Sequence, residues 1–310
     1  MTEELERVHL ELTKIPGFEA IEAGSYGVRR LGGLTNLVYR IDCGERRYAL
    51  RIPGKGTEEY IDRKVEMHNA RVAARAGVSA EVIHADSASG VLLTTYIDDS
   101  VTMTPQQFAR REGSAARAGR VLRRMHDCPE VFEFRFELFA MIDDYLAILD
   151  ERKAELPTGY AEVVESAAPV RAALQQHPAV LAPCHCDPLC ENFLDDGARM
   201  WIVDWEYSGM NDPIWDLGDL SVEAGFGAAE DEEMMLAYIG GEVPRSSFGR
   251  MVVYKAMCDL LWTLWGLIQH ANDNPADDFW AYATNRFERC KALMGRDDFD
   301  RHVAAIGDSS

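Results

Sequence analysis

The stretch 184–220, CHCDPLCENFLDDGARMWIVDWEYSGMNDPIWDLGDL, decides how the rest of the chain is read. It places His185-x-Asp187 after a strand-like run at 180–184, Asn192 a few residues on, and Asp204 at the end of a second run at 201–204. A loop at the end of one strand and an acid at the end of the next bring three oxygen-bearing side chains to one place. Transfer of a phosphoryl group to a hydroxyl asks for such a set. One carboxylate orients the hydroxyl and accepts its proton, while oxygen ligands hold Mg²⁺ on nucleotide phosphates. Asp187 suits the first role, and Asn192 with Asp204 the second. Taken singly, each acid also reads as an ordinary cap or surface residue.

Upstream, residues 19–52 carry three strand-like runs broken at Gly32-Gly33 and at Asp42-Cys43-Gly44-Glu45, which predicts three antiparallel strands. A helix is expected over 59–76 with Gly77 as its left-handed stop, then strands at 80–84 and 91–97, with Asp98-Asp99-Ser100 leading out. Beyond this the apolar period changes from two to 3.6. Helices are expected at 105–126, 137–152, 159–176, 230–239, 245–271 and 277–294, with short strands at 180–184, 193–194 and 201–204. Strands first and helices afterwards make an α+β chain, not an alternating βαβ one.

The 310 residues hold Lys+Arg 32, Asp+Glu 52 and 7 Cys, a size that fits two lobes. The net charge of −20 argues against a nucleic-acid or anionic-membrane partner. Residues 1–97 are nearly neutral at net −1, so almost all the excess acid lies in 98–310, where it would attract a cationic small molecule or simply solubilise the surface. The acidic N-terminus does not read as a secretory signal and no run reads as a membrane span, which points to a cytoplasmic protein without membrane insertion. Cys184, His185, Cys186 and Cys190 invite a zinc reading, but no second Cys/His pair at ligand spacing follows, and small thiols filling a reduced interior explain them as well.

The ordered motifs from Arg30 to about Phe287 resemble the choline/ethanolamine kinases, within the wider aminoglycoside-phosphotransferase-like group that shares the protein-kinase fold. The resemblance implies a bilobal fold, with a small antiparallel β-rich nucleotide-binding N-lobe over 1–97 and a larger, mostly helical acceptor-binding C-lobe over 98–310. GGLTN looks like the phosphate-covering loop, with Gly32, Gly33, Thr35 and Asn36; Arg51 in YALRIPG stands where protein kinases carry their phosphate-binding lysine. Glu66 would be its partner, and Thr95, Tyr96 and Ile97 the hinge against adenine. Asp187 looks like the base, Asn192 and Asp204 like the Mg²⁺ ligands, and WEYSGMN matches the stretch after the metal aspartate. Cys186 departs from the family, which has Asn there.

Trp262 and Trp265 lie on one helical face in LLWTLWGLIQH; alone they read as core, but the resemblance makes them, with Tyr207 and Tyr282, a box of rings for a quaternary ammonium, and Asp216 and Glu223 its acids. The reaction implied is ATP- and Mg²⁺-dependent phosphorylation of a small amino alcohol, choline first, by a monomer or homodimer. Ethanolamine, another amino alcohol, thiamine or an aminoglycoside are the rival acceptors. A non-catalytic sensor of an ammonium ligand is the rival from another class.

Overall fold

The computed structural model describes residues 3–32, 36–54 and 61–308. Strands β1 (Gly27–Gly32), β2 (Asn36–Cys43) and β3 (Arg46–Pro53) run antiparallel, and Gly44, at φ 61°, supplies the left-handed turn between the last two. Strands β4 (Val82–Ala85) and β5 (Leu92–Thr95) complete a five-stranded sheet in the order β1-β2-β3-β5-β4. Helix α1 (Glu3–Thr13) covers it, burying Val8 and Leu12 with Tyr39, Ile41 and Leu50. In register, Arg51 of β3 sits opposite Val38 and Leu92, near the middle of the sheet.

Helix α2 (Arg63–Arg75) starts on Asp62, which accepts a hydrogen bond from the Lys64 N–H at 2.9 Å, and stops at Gly77, φ 71°. Its buried Ala70, Val72 and Ala73 belong to the core of the helical part. The sheet is thereby tied to the helical lobe, and one face of α2 is left for Glu66.

Two small sheets frame the central stretch. Strands β6 (Val101–Thr102), β8 (Phe193–Asp195) and β9 (Met200–Ile202) form one, and β7 (Ala182–Cys184) pairs with β10 (Gly209–Asn211) to form the other. Around them pack α3 (Pro105–Arg110), α4 (Ser114–His126), α5 (Leu138–Glu151), α6 (Tyr160–Ser166), α7 (Ala168–Gln176), α8 (Ile214–Ala224), α9 (Ala228–Ile239), α10 (Arg245–Ala271), α11 (Phe279–Met294) and α12 (Phe299–Ala305).

Two helices expected as continuous are broken. At 105–126 the break is Gly113, left-handed at φ 72°; at 159–176 it is Pro169, which restarts the chain as α7 because it has no N–H to continue α6. Helix α8 is absent from the sequence expectations: it buries Asp216, Asp219 and Ser221 together with its apolar residues, so it has no polar face and no 3.6 period to read. Helix α10 is long and apolar enough to cross a membrane, but it packs against α5, α8, α11 and α12 as a core helix. The approach of α8 is close, since a Cβ at Gly218 would stand 2.9 Å from the Met251 carbonyl oxygen.

Candidate active site

The loop after β7 carries the candidate chemistry, and nearly every polar group in it is held. Asp216, at the start of α8, accepts the N–H groups of His185 and Cys186 at 2.7 and 2.9 Å and pairs with His126 at 3.0 Å. The Trp215 indole N–H donates to the Cys186 carbonyl at 3.0 Å. Cys186 itself is left-handed, at φ 67°, a conformation a non-glycine residue holds only when its surroundings impose it. The His185 ring donates from Nε2 to the Val203 carbonyl at 3.0 Å, joining the loop to the segment that carries Asp204. Burial lowers the His185 pKa and keeps the ring neutral, consistent with an orienting part. Asn192 reaches back, its Nδ2 donating to the Asp187 carbonyl at 3.0 Å.

Asp216 therefore does not stand among the rings. It is fully buried and both its oxygens are taken by the loop backbone and His126, which corrects its placement in the acceptor box. Burial pushes the Cys184, Cys186 and Cys190 thiols up, favouring S–H over thiolate, although the Cys184 sulfur lies within 4.8 Å of ligand atoms of His126 and Asp216.

Asp187 and Asp204 are close enough for the charge of one to act on the other. Burial, then the charges of Glu223 and Asp204, raise Asp187 to about 8. Asp204 follows β9 in a left-handed conformation, φ 69°. Its side chain is 39% exposed, yet protein closes round its other sides; that desolvation, with Glu206 and Glu66 nearby, pushes its pKa up. Carboxylate oxygens of Glu66, Asp204 and Glu206 lie within 4.8 Å of one another, a hard-oxygen set that suits a divalent cation.

On the sheet side Arg51 is hydrogen-bonded to Glu66, donates to the Gly90 carbonyl at 3.1 Å, and stands 3.4 Å from Glu206 and 3.8 Å from Asp204. Arg63, one helical turn before Glu66, bridges Glu66 at 2.8 Å and Glu206 at 2.5 Å. Asn36 donates to Glu206 at 3.0 Å. Asn36, Arg51 and Glu66 are thus brought together as the motifs imply; Gly33 and Thr35 lie outside the described residues, and Gly32 is exposed at the end of β1. Thr95 ends β5 and Tyr96 follows it, their N–H groups already given to the Glu81 and Arg47 carbonyls, and the Ile97 carbonyl accepts from Ser100.

On the helical side Tyr207, Trp262, Trp265 and Tyr282 form a chain of edge-to-face contacts, with centroid separations of 5.6, 6.3 and 5.8 Å. The last contact depends on Gly266, where a Cβ would fall 2.6 Å from the Tyr282 ring. Glu223 is close by but paired with Arg286, whose guanidinium also lies 3.2 Å from Asp259 and 4.7 Å from the Tyr282 ring centre. A cleft of about 830 Å³ opens beside this wall, lined by Tyr145, Ile148, Glu206, Tyr207 and Trp265 among others. Tyr145, raised to about 12 by burial and by Asp187, comes from α5, which carries no recognisable motif.

Arg63, Glu206, Asp219 and Tyr145 join the site without having been singled out from the sequence. Arg63 and Asp219 had a usable signal, standing three and four residues before Glu66 and Glu223 on one helical face. Asp219 is fully buried and receives the Cys258 thiol at 3.1 Å.

Residues 27–246 match the phosphotransferase enzyme family. A crystal structure of a choline/ethanolamine kinase family protein from Mesorhizobium loti is 60% identical, covering 97% of this chain and 98% of the other, with a TM-score of 0.89. Protein LicA of Haemophilus influenzae is 26% identical over 89% of this chain and 82% of its own length. Ethanolamine kinase 2 of Mus musculus is 25% identical over 77% and 68% respectively.

Proposed function

Since the chain belongs to the phosphotransferase enzyme family, as a choline/ethanolamine kinase with the kinase-like bilobal fold, we propose that the amino alcohol it phosphorylates is choline. The observation that carries this reading is the wall of Tyr207, Trp262, Trp265 and Tyr282 beside acids that are already engaged. A trimethylammonium group has no N–H and is held by ring faces. A primary ammonium needs hydrogen-bond acceptors, but Glu223 is paired with Arg286 and Asp216 with the loop backbone.

In this reading 1–97 binds the nucleotide and 98–310 the acceptor. Arg51, kept in place by Glu66, orients the ATP phosphates, with Gly32, Gly33, Thr35 and Asn36 over them and Thr95, Tyr96 and Ile97 against adenine. Asn192 and Asp204 would hold Mg²⁺, with Glu66 and Glu206 close enough to shape its surroundings, and the ion would neutralise phosphate charge. Asp187 orients the acceptor hydroxyl and takes its proton at a carboxylate oxygen.

The test is ADP release from Mg²⁺-ATP with choline, ethanolamine and their N-methylated intermediates. The reading expects kcat/KM to rise with each methyl group. Preference for ethanolamine would overturn the choice of acceptor and leave the kinase class standing.

A further inference from the structure

Glu206 touches both halves of the site. Its Oε1 accepts from Asn36 at 3.0 Å and Arg63 at 2.5 Å and stands 3.4 Å from Arg51, and all three donors come from the sheet and from helix α2. The same side chain lines the cleft beside Tyr207 and Trp265. It is only 7% exposed, so among the described residues these partners compensate its charge. With Glu66 and Asp204, three carboxylates share the guanidiniums of Arg51 and Arg63 among the described residues.

We propose that Glu206 couples the two substrates: Arg51 and Arg63 hold it in the empty protein, and nucleotide phosphates, by taking those guanidiniums, release it to face the cationic head of the acceptor. The inference rests on the amino-alcohol kinase reading above. Phosphate oxygens carry more charge than one carboxylate and match the guanidinium fork, so they compete well for it. A nearly buried carboxylate stripped of its partners is costly, and a cation entering the adjoining cleft removes that cost. Each substrate therefore strengthens the binding of the other, by the same factor in both directions. Glu206 acts as a positioning residue, separate from the base.

Calorimetric titration of the full chain with choline in Mg²⁺, with and without a non-hydrolysable ATP analogue, tests this. The wild-type Kd for choline falls at least about fivefold when the analogue is added, the lower range of site-to-site coupling. In Glu206→Gln the two Kd values converge, while thermal unfolding verifies that the variant is folded. Arg63→Gln moves the opposite way, tightening choline in the nucleotide-free protein, which a general structural lesion would not do. Equal dependence on nucleotide in wild type and Glu206→Gln, none in wild type, or weaker nucleotide-free choline binding in Arg63→Gln overturns the proposal. If the protein binds ethanolamine but not choline, the choice of acceptor fails alone, and the same titrations with ethanolamine decide the coupling.

Discussion

The proposed nucleotide and acceptor sides of the site are built from opposite materials. On one side Asn36, Arg51, Arg63, Glu66, Asp204 and Glu206 make an ionic mesh whose members are drawn from β2, β3, α2 and the segment after β9. On the other, Trp262, Trp265 and Tyr282 stand on α10 and α11, with Tyr207 from the loop after β9 closing the row. Ionic partners can be exchanged for a phosphate at small net cost, since each guanidinium trades one anion for another. A packed ring cannot be exchanged; it must be in place before the cation arrives. The mesh suits a ligand that enters and leaves as a polyanion, and the wall suits one recognised by shape and an unhydrated charge.

The comparison is broken most severely at the point where the sides meet. Asp187→Asn removes the proton acceptor while leaving the mesh intact, so kcat falls by roughly 10²–10⁴ and nucleotide affinity, measured by calorimetry, stays close to wild type. Loss of nucleotide affinity with a preserved rate would remove Asp187 from its role. Next comes the wall. Trp262→Ala lowers kcat/KM for choline by about 30-fold, from roughly 2 kcal/mol of desolvated cation–π attraction, with a smaller effect on ethanolamine and almost none on the KM for ATP. Equal losses on both acceptors would argue that the ring is core only.

Gly266→Ala probes the wall while leaving every ring of it unsubstituted. The added methyl meets Tyr282, and overpacking of about 1 kcal/mol should raise the KM for choline roughly fivefold at little change in kcat. The smallest effect concerns acid. Asp187 titrates near 8 in the folded, ligand-free protein and near the ordinary carboxylate value when unfolded, so folding takes up a proton between those values. Its contribution is therefore full at low pH and is lost as pH rises towards 8. Thermal unfolding of wild type should decline from pH 6 to 8 more than that of Asp187→Asn, and parallel curves would contradict the shift.

Much of the fold is legible in the linear chain. The β2–β3 hairpin follows from period-two strands around Asp42-Cys43-Gly44-Glu45, and α10 is bounded correctly at 245–271 because it is rich in apolar residues and meets no Pro until Asn272-Asp273-Asn274-Pro275. The break at Gly113 is less visible, because a single left-handed glycine is also tolerated inside a helix. Asp216 is misplaced for a different reason. Spacing puts an acid near a site, but which way it turns depends on which backbone N–H groups lack a partner, and here the loop of His185 and Cys186 claims it.

The sequence by itself determined what is local or strictly ordered: the strands of the N-terminal sheet, most of the helices and the family. Periodicity, turn chemistry and motif spacing are written in neighbouring residues and need no folding to be read. Only the tertiary structure decided who partners whom. Glu206 meets Asn36 across 170 positions and Arg63 across 143, and Glu223 is neutralised by Arg286 across 63. Charge pairing is a property of distance and burial in space, which a linear pattern does not contain.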